Sequence, residues 1–456
     1  MPWMRPNSVR NRNLTRMLVD LYTSRKSSVI LLFAAVLATA SMWFYVQRVL
    51  IPQEEKDAAE RQRPRGNLSD LYPRWLGARE LLLHHRNPYG EDISIEIQQG
   101  YYGRALDHRR PNDPLDEERF AYPVYVVFLL APLIRLPFHD VQIVFRILLV
   151  VLTAASVWMW LRTLRWRLPL VEVSATVILT LGCFPVVQGI KLWQLSLLVA
   201  ALLAAAVACV ARGFLLCGGA LLALTTIKPQ LAWPAVLWLV VWAAADWRVR
   251  RRLVFGFASI MVPLLAGAEV LLPGWWRMFA EAIQQYHRYT QNQSVIEVLV
   301  PWGFSGTILA VSSLLASAFL LNKLRQEPAD AVQFGRATAL VMALTVLIVP
   351  MSAPYNQVLL LPAILVLARD RTLFLPRSRL RRFGYVAGAY ALVWPWIASL
   401  ATDVICLAGF QEFAFSVWWW VDLTTFIFPV FVFALMFLDV QTSLSDVTVP
   451  QEGCAG

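Results

Sequence analysis

The sequence predicts an all-α polytopic membrane protein. Apolar runs of span length recur along most of it, 58% of its 456 residues are hydrophobic against 16% charged, and mean hydropathy is +0.54. A water-soluble domain cannot hide that much apolar surface, whereas a bilayer core about 30 Å thick accepts helices of ~20 such residues. The third observation is where the charge falls. The net charge of +11 is carried largely by arginine clusters between the runs, the pattern of cytoplasmic loops rather than of a nucleic-acid-binding face. Five cysteines (Cys183, Cys209, Cys217, Cys406 and Cys454) are scattered without a CxxC pair, so neither a disulfide framework nor a zinc site is indicated.

Arg5, Arg10, Arg12, Arg16, Arg25 and Lys26 precede the first apolar run, Val29 to Val46. No small-residue cleavage site follows that run cleanly, so it reads as a retained span behind a cytoplasmic N-terminal segment, 1–28, rather than as a signal peptide. Residues 51–119 then form a long external loop with 14 of the 30 acidic residues against 11 basic ones. Within it Asp70–His85 and Ile93–Ala105 alternate apolar and polar residues at helical spacing, as juxtamembrane helices lying flat on a bilayer do. Residues 120–137 are apolar but carry Pro123, Pro132 and Pro137. A crossing there would put one arginine cluster on the wrong side, so this segment reads as a re-entrant or interfacial helix.

Further spans are expected near 142–161, 169–188, 190–211, 213–228, 229–245, 253–272, 302–322, 336–350, 355–368, 383–404 and 417–438. The clusters at 161–167, 246–252 and 369–382 then face the cytoplasm, a second external loop covers 273–301, and 440–456 is a flexible cytoplasmic tail. The result is a single integral membrane domain, 1–456, with 12 spans and both termini inside; 13 spans with one violation of the positive-inside rule is the alternative.

This topology gathers polar residues at the outer ends of apolar runs: Lys191 and Gln194 in GIKLWQLS, Lys228 in TTIKPQ, Glu269 before Pro273, Tyr355 and Asn356 in VPMSAPYNQ, and His287 with Arg288 in QQYHRYTQNQS. Ionisable groups bordering hydrocarbon are costly, so their clustering on one face argues for a site there. Each has a plainer reading. A lysine at a span end snorkels to headgroups, Gln194 can bond a neighbouring helix, and His84, His85, Arg79 and Arg86 form a solvated or headgroup-binding face. Asp70, with Pro73 in the following turn, suits a helix N-cap; one carboxylate oxygen can cap while the other takes a proton. Asn67 and Asn292 stand in N-x-S/T sequons, which matter only in a eukaryotic secretory pathway.

The pieces SDLYPRWLGARELL with NPYG, FAYPVY, WQLSLLVAALL, LLALTTIKPQLAWPAVLWLVVWAAADWRVRR, NQSV and PMSAPYNQVLLLP follow one another over about 70–362. Together they resemble the family 87 glycosyltransferases, membrane mannosyltransferase-like enzymes of the GT-C superfamily that use polyprenyl-phosphate sugars. Two positions depart from that pattern: His85 stands where a glycine usually precedes the PY element, and Trp193 where a glycine often precedes the glutamine.

The resemblance implies a GT-C fold and an inverting transfer of a hexose, mannose by analogy, onto a lipid or glycan acceptor at the outer, periplasmic face of a bacterial plasma membrane. It makes Asp70 the general base, because GT-C enzymes use an acidic residue of the first external loop. A single displacement needs one carboxylate and no second acid, unlike glycoside hydrolysis. The leaving phosphate needs cations, for which Lys228, His287 and Arg288 are the candidates, with Lys191 behind them. Gln194, Tyr89, Asn292, Tyr355 and Asn356 are the expected substrate-binding residues, and Tyr72, Trp75, Trp275 and Tyr289 are aromatics that can stack on sugars or anchor at the interface. No DxD pair occurs in the chain, which fits a metal-independent reaction without a resident cofactor; the lipid-linked sugar is substrate. Expected partners are that donor, the acceptor and membrane lipids, with no nucleic acid. A 12-span secondary transporter, or a flippase or ligase of lipid-linked sugars, is the other class open to this composition.

Overall fold

The computed structural model describes residues 25–448, apart from 65, 67, 68, 108, 111, 291, 292 and 375–377. Every regular element among the described residues is helical. In chain order they are α1 (Arg25–Tyr45), a π-helical turn (Val46–Leu50), α2 (Ile51–Glu60), α3 (Tyr72–His84), α4 (Glu91–Tyr102), α5 (Val126–Leu130), α6 (Phe138–Thr163), α7 (Leu170–Leu181), α8 (Phe184–Lys191), α9 (Leu195–Ala211) and α10 (Leu215–Leu224). There follow α11 (Pro229–Ala245), α12 (Trp247–Leu271), α13 (Trp275–Thr290), α14 (Val295–Leu299), α15 (Ser305–Leu324), α16 (Val332–Ile348), a 3-10 segment (Pro354–Leu360), α17 (Leu361–Arg369), α18 (Arg371–Phe374), α19 (Arg379–Leu407), α20 (Gln411–Ser416) and α21 (Ile427–Thr448).

Six of the described helices are long and apolar enough to cross a membrane, or seven if α7 and α8, bent by 55° at Gly182 and Cys183, make one span. Five shorter apolar segments, Leu195–Ala211, Leu215–Ile227, Pro229–Ala245, Val332–Ile348 and Pro354–Arg369, fall below span length. The long helices, with the shorter apolar ones packed among them, make up a polytopic membrane bundle in which six or seven of the 12 expected spans reach full length. Burial explains how the short ones persist: α9 and α16 are enclosed on nearly every side, so neighbouring protein rather than lipid covers their ends. The last span begins at Ile427 rather than near 417, because Trp418–Trp420 form a 3-10 turn. α21 also runs on to Thr448, into the segment expected as a tail. Residues 120–137 hold a five-residue helix and a 3-10 turn rather than a span.

The loop over 51–119 folds onto the bundle instead of resting beside it. Tyr72 and Trp75 of α3 meet Phe138 at the start of α6, with ring centroids 4.9 and 5.1 Å apart, and the Trp75 indole donates to Leu133 O at 3.3 Å. Glycine at 77 lets the Phe120 ring press against the helix; a Cβ there would lie 2.4 Å from it. Asp70 does not cap α3, whose N-cap is Leu71 with no side-chain bond. Its backbone amide donates instead to Leu192 O, 3.0 Å away in the α8–α9 turn.

At the other end of α6, arginines tie the loops together. Arg369 bonds Leu164 O, Arg165 pairs with Asp330 at 2.9 Å, and Arg336 joins Asp370 at 2.8 Å and Asp439 at 3.0 Å. Arg250 satisfies the carbonyls of Arg325 and Gln326 at 2.8 and 2.9 Å. This arginine-rich end and the α3 end are separated by the 26 residues of α6, about 39 Å of helix at 1.5 Å per residue.

α10 and α12 cross backbone to backbone at Gly219 and Gly256: a Cβ at Gly219 would sit 2.0 Å from Leu253 O, and one at Gly256 2.1 Å from Leu216 O. Small residues permit such contact between helices that gain nothing from lipid exclusion. α10 leads directly through Thr225–Ile227 to Lys228, so this crossing also fixes the lysine. Gly219→Val is expected to wedge the pair apart and cost about 1–3 kcal/mol, the usual cost of overpacking. Thermal unfolding of the detergent-purified protein checks this; an unshifted midpoint would contradict the close crossing.

Candidate active site

The loop before α3, the α8–α9 turn, the Ile227–Pro229 junction and the 3-10 segment after Pro350 converge on one cavity of about 330 Å³. Each converging piece is a break in helix. Trp193 adopts a left-handed conformation (φ 51°), which turns the chain sharply before α9 and leaves Gln194 at its N-cap position. That conformation costs a non-glycine residue roughly 1–2 kcal/mol. The indole offsets it by donating to Gln142 O at 2.8 Å and stacking under Arg146, 5.0 Å from the ring centroid. His85 (φ 55°) is the C-cap of α3 in the same conformation. Both departures from the family pattern thus fall where glycine is conformationally free.

Around the cavity the side chains form a continuous relay. The Gln194 amide nitrogen donates to the Asp70 carboxylate, while its oxygen accepts from Lys228 Nζ at 3.1 Å. Lys228 also donates to Ser196 Oγ at 2.6 Å, Ser196 donates to Asn356 Oδ1 at 2.9 Å, and Asn356 Nδ2 donates to Met351 O at 3.1 Å. The ammonium lies 5.0 Å from the Tyr355 ring centroid and is only 3% exposed. On the other side of Asp70, Arg74 Nη1 donates to the Asp70 carbonyl at 2.6 Å. The Arg74 guanidinium lies 4.6 Å from the Tyr122 ring centroid and 3.9 Å from Glu118.

Burial pushes the Asp70 carboxyl above the usual carboxylate range; the charge of Asp116 adds to this, while Arg74, Lys228 and the Gln194 bond oppose it. Burial likewise raises Asp116, and raises Glu118 well above its ordinary value. A carboxylate so placed, beside two cations and open to a cavity, holds a proton more readily than an ordinary carboxylate.

The structure brings together some of the residues singled out by sequence and separates others. Asp70, Gln194, Lys228 and Tyr355 line the cavity, and Asn356 stands one bond behind Lys228 through Ser196. Tyr89 is set back: its hydroxyl donates to Tyr122 O at 2.6 Å and its ring packs on Phe120, so it supports the wall rather than forming it. His287 and Arg288 are exposed on α13 and do not line the cavity, whereas Tyr286 beside them does. Lys191 is engaged by Glu54 at 2.6 Å, and Glu269 accepts the Gly274 amide at 2.8 Å. Asn292 and Asn67 lie outside the described residues. Tyr72, Trp75 and Trp275 are packing aromatics, and the aromatic wall of the cavity is built from Tyr122, Trp233, Tyr286 and Tyr355.

A family model described as glycosyltransferase family 87 matches residues 120–350. The chain belongs to that family. No curated protein and no solved structure matches it. As a family 87 glycosyltransferase this integral membrane protein takes a sugar donor and an acceptor. The matched stretch holds Tyr122, Gln194, Lys228 and Tyr286, while Asp70, Arg74 and Tyr355 lie outside it.

Sequence reasoning overlooked Arg74, Tyr122, Ser196 and Tyr286. Arg74 carried a usable signal, four residues after Asp70 in the helix that the sequence places over Asp70–His85. Ser196→Ala removes one of the two hydroxyl or amide oxygens holding a buried ammonium. It is expected to cost about 1–3 kcal/mol of stability, read as a lowered unfolding midpoint; an unchanged midpoint would show that Lys228 does not depend on this bond.

Proposed function

We propose that this family 87 glycosyltransferase is an inverting hexosyltransferase that moves a hexose, mannose by family analogy, from a polyprenyl phosphate to a lipid or glycan acceptor at the outer face of the membrane. The observation that carries the reading is a half-buried carboxylate, Asp70, opening on a cavity between two buried cations, Lys228 and Arg74. A hydrolase of glycosides would want a second carboxylate across the bond. A donor whose leaving group is a phosphate anion wants positive charge there instead.

In the proposed step the acceptor hydroxyl gives its proton to Asp70 as its oxygen forms a bond to the anomeric carbon. The bond from that carbon to the phosphate oxygen breaks on the opposite face, and polyprenyl phosphate leaves as an anion. Lys228, held by Gln194 and Ser196, meets the charge developing on that oxygen. Gln194 keeps the base oriented with the same amide that positions the cation. The wall of tyrosines and Trp233 offers rings to the sugar, and the apolar surface between helices accommodates the lipid tail. No resident metal or cofactor enters the step.

Support for the outer face comes from distance. The site adjoins the Phe138 end of α6, and the arginine-tied loops adjoin its Thr163 end, a separation that spans the hydrocarbon. By the positive-inside rule the arginine end is cytoplasmic. With the family established, the transporter reading set out from composition recedes.

Asp70→Asn is expected to reduce transfer at least about 10³-fold, in the range of lost acid–base catalysis, with donor binding largely kept. The assay follows acceptor-dependent release of polyprenyl phosphate from a polyprenyl-phosphate hexose by the purified protein, and near-normal turnover would remove Asp70 from the mechanism. Because the base acts deprotonated and burial raises its pKa, kcat/KM should fall as pH drops. The midpoint of that acid limb should lie above about 4, the ordinary carboxylate value; a limb at or below it would contradict a buried base.

A further inference from the structure

The cavity holds one cation that the sequence did not assign to the donor. Arg74 lines it and is 9% exposed, and its Nε has no hydrogen-bond partner. A buried guanidinium nitrogen left without an acceptor is costly, and here it belongs to a side chain that borders the empty space where substrate would sit. We propose that Arg74 is a direct ligand of the donor phosphate, forming with Lys228 a two-cation seat; the inference rests on the lipid-phosphate reading above.

Two features shape the seat. Each cation is backed by a tyrosine ring of the same cavity, Arg74 by Tyr122 at 4.6 Å and Lys228 by Tyr355 at 5.0 Å. These contacts hold the charges in place without neutralising them. Each is also tied to Asp70 through uncharged groups: Arg74 to its backbone carbonyl and Lys228 through the Gln194 amide. The carboxylate therefore stays available for the acceptor proton while both cations keep donors for a phosphate. A guanidinium suits this place because its planar fork matches two phosphate oxygens, which an ammonium cannot do alone. Glu118 lies 3.9 Å away, and burial pushes its carboxyl well above its ordinary pKa, which weakens its hold on the guanidinium.

The test measures binding of polyprenyl phosphate, and of the uncharged polyprenol of equal chain length, to the full-length protein in lipid nanodiscs. Wild type should prefer the phosphate. Arg74→Gln should weaken phosphate binding by roughly 10- to 100-fold, the worth of a charge-assisted hydrogen bond, with polyprenol binding unchanged, and Arg74→Lys should recover part of the loss. Equal phosphate binding by wild type and Arg74→Gln overturns the role of Arg74 while leaving the donor reading intact. No preference for phosphate by wild type overturns the donor reading itself. If Arg74→Gln does not fold, Arg74→Lys decides: full phosphate affinity contradicts the fork, and a loss confined to the phosphate ligand supports it.

Discussion

The Gln194 side chain accepts from Lys228 with its oxygen and donates to Asp70 with its nitrogen, so a single neutral amide joins a half-buried acid to a buried base without letting them neutralise each other. A direct lysine–carboxylate pair in that place would be a closed ion pair, with neither group free for substrate. Much of the surrounding structure serves to put this amide where it is. Trp193 takes a strained left-handed turn to present Gln194, Asp70 is docked by its own backbone on the same turn, and Lys228 is carried in by α10 through a glycine crossing that brings backbones into contact. The second layer, Ser196, Asn356 and Met351 O, completes the donors and acceptors, as buried polar networks require.

The fold class was legible in composition because no soluble solution exists for so apolar a chain, and apolar runs mark buried or lipid-facing helix whatever the tertiary arrangement. Span counting from hydropathy is blind to helix length and packing. Hydropathy sees that α9, α11 and α16 are apolar but not that they are short, nor that α9 and α16 are enclosed by other helices. The boundary error at the last span has the same source: Trp418–Trp420 are as apolar as the helix after them yet form a 3-10 turn.

Legibility of the site divides along a similar line. Gln194, Lys228 and Tyr355 stood out as polar groups at the edges of apolar runs, where burial is expensive and a reason is needed, and Asp70 stood out through the family resemblance. Arg74 did not, because one arginine in an amphipathic helix reads as a headgroup contact; only packing shows that α3 is covered on the side that bears it. His287 and Arg288 failed oppositely. They sit beside Tyr286, which does reach the cavity, but a helix turns 100° per residue, and neighbours in sequence face different ways.

A chain that buries an ammonium and a guanidinium beside a half-buried carboxylate around one cavity gives up stability for function, the usual sign of a working site. The central claim is that this cavity, and not the exposed face of α13, receives the phosphate of a lipid-linked sugar. A cryo-EM structure of the protein in a lipid nanodisc with a non-hydrolysable polyprenyl-phosphonate sugar tests it most directly. The account predicts phosphonate density against Lys228 Nζ and Arg74, with the Asp70 carboxylate across the anomeric carbon from it. Density for that group at His287 and Arg288, or among the arginines at the far end of α6, would contradict it.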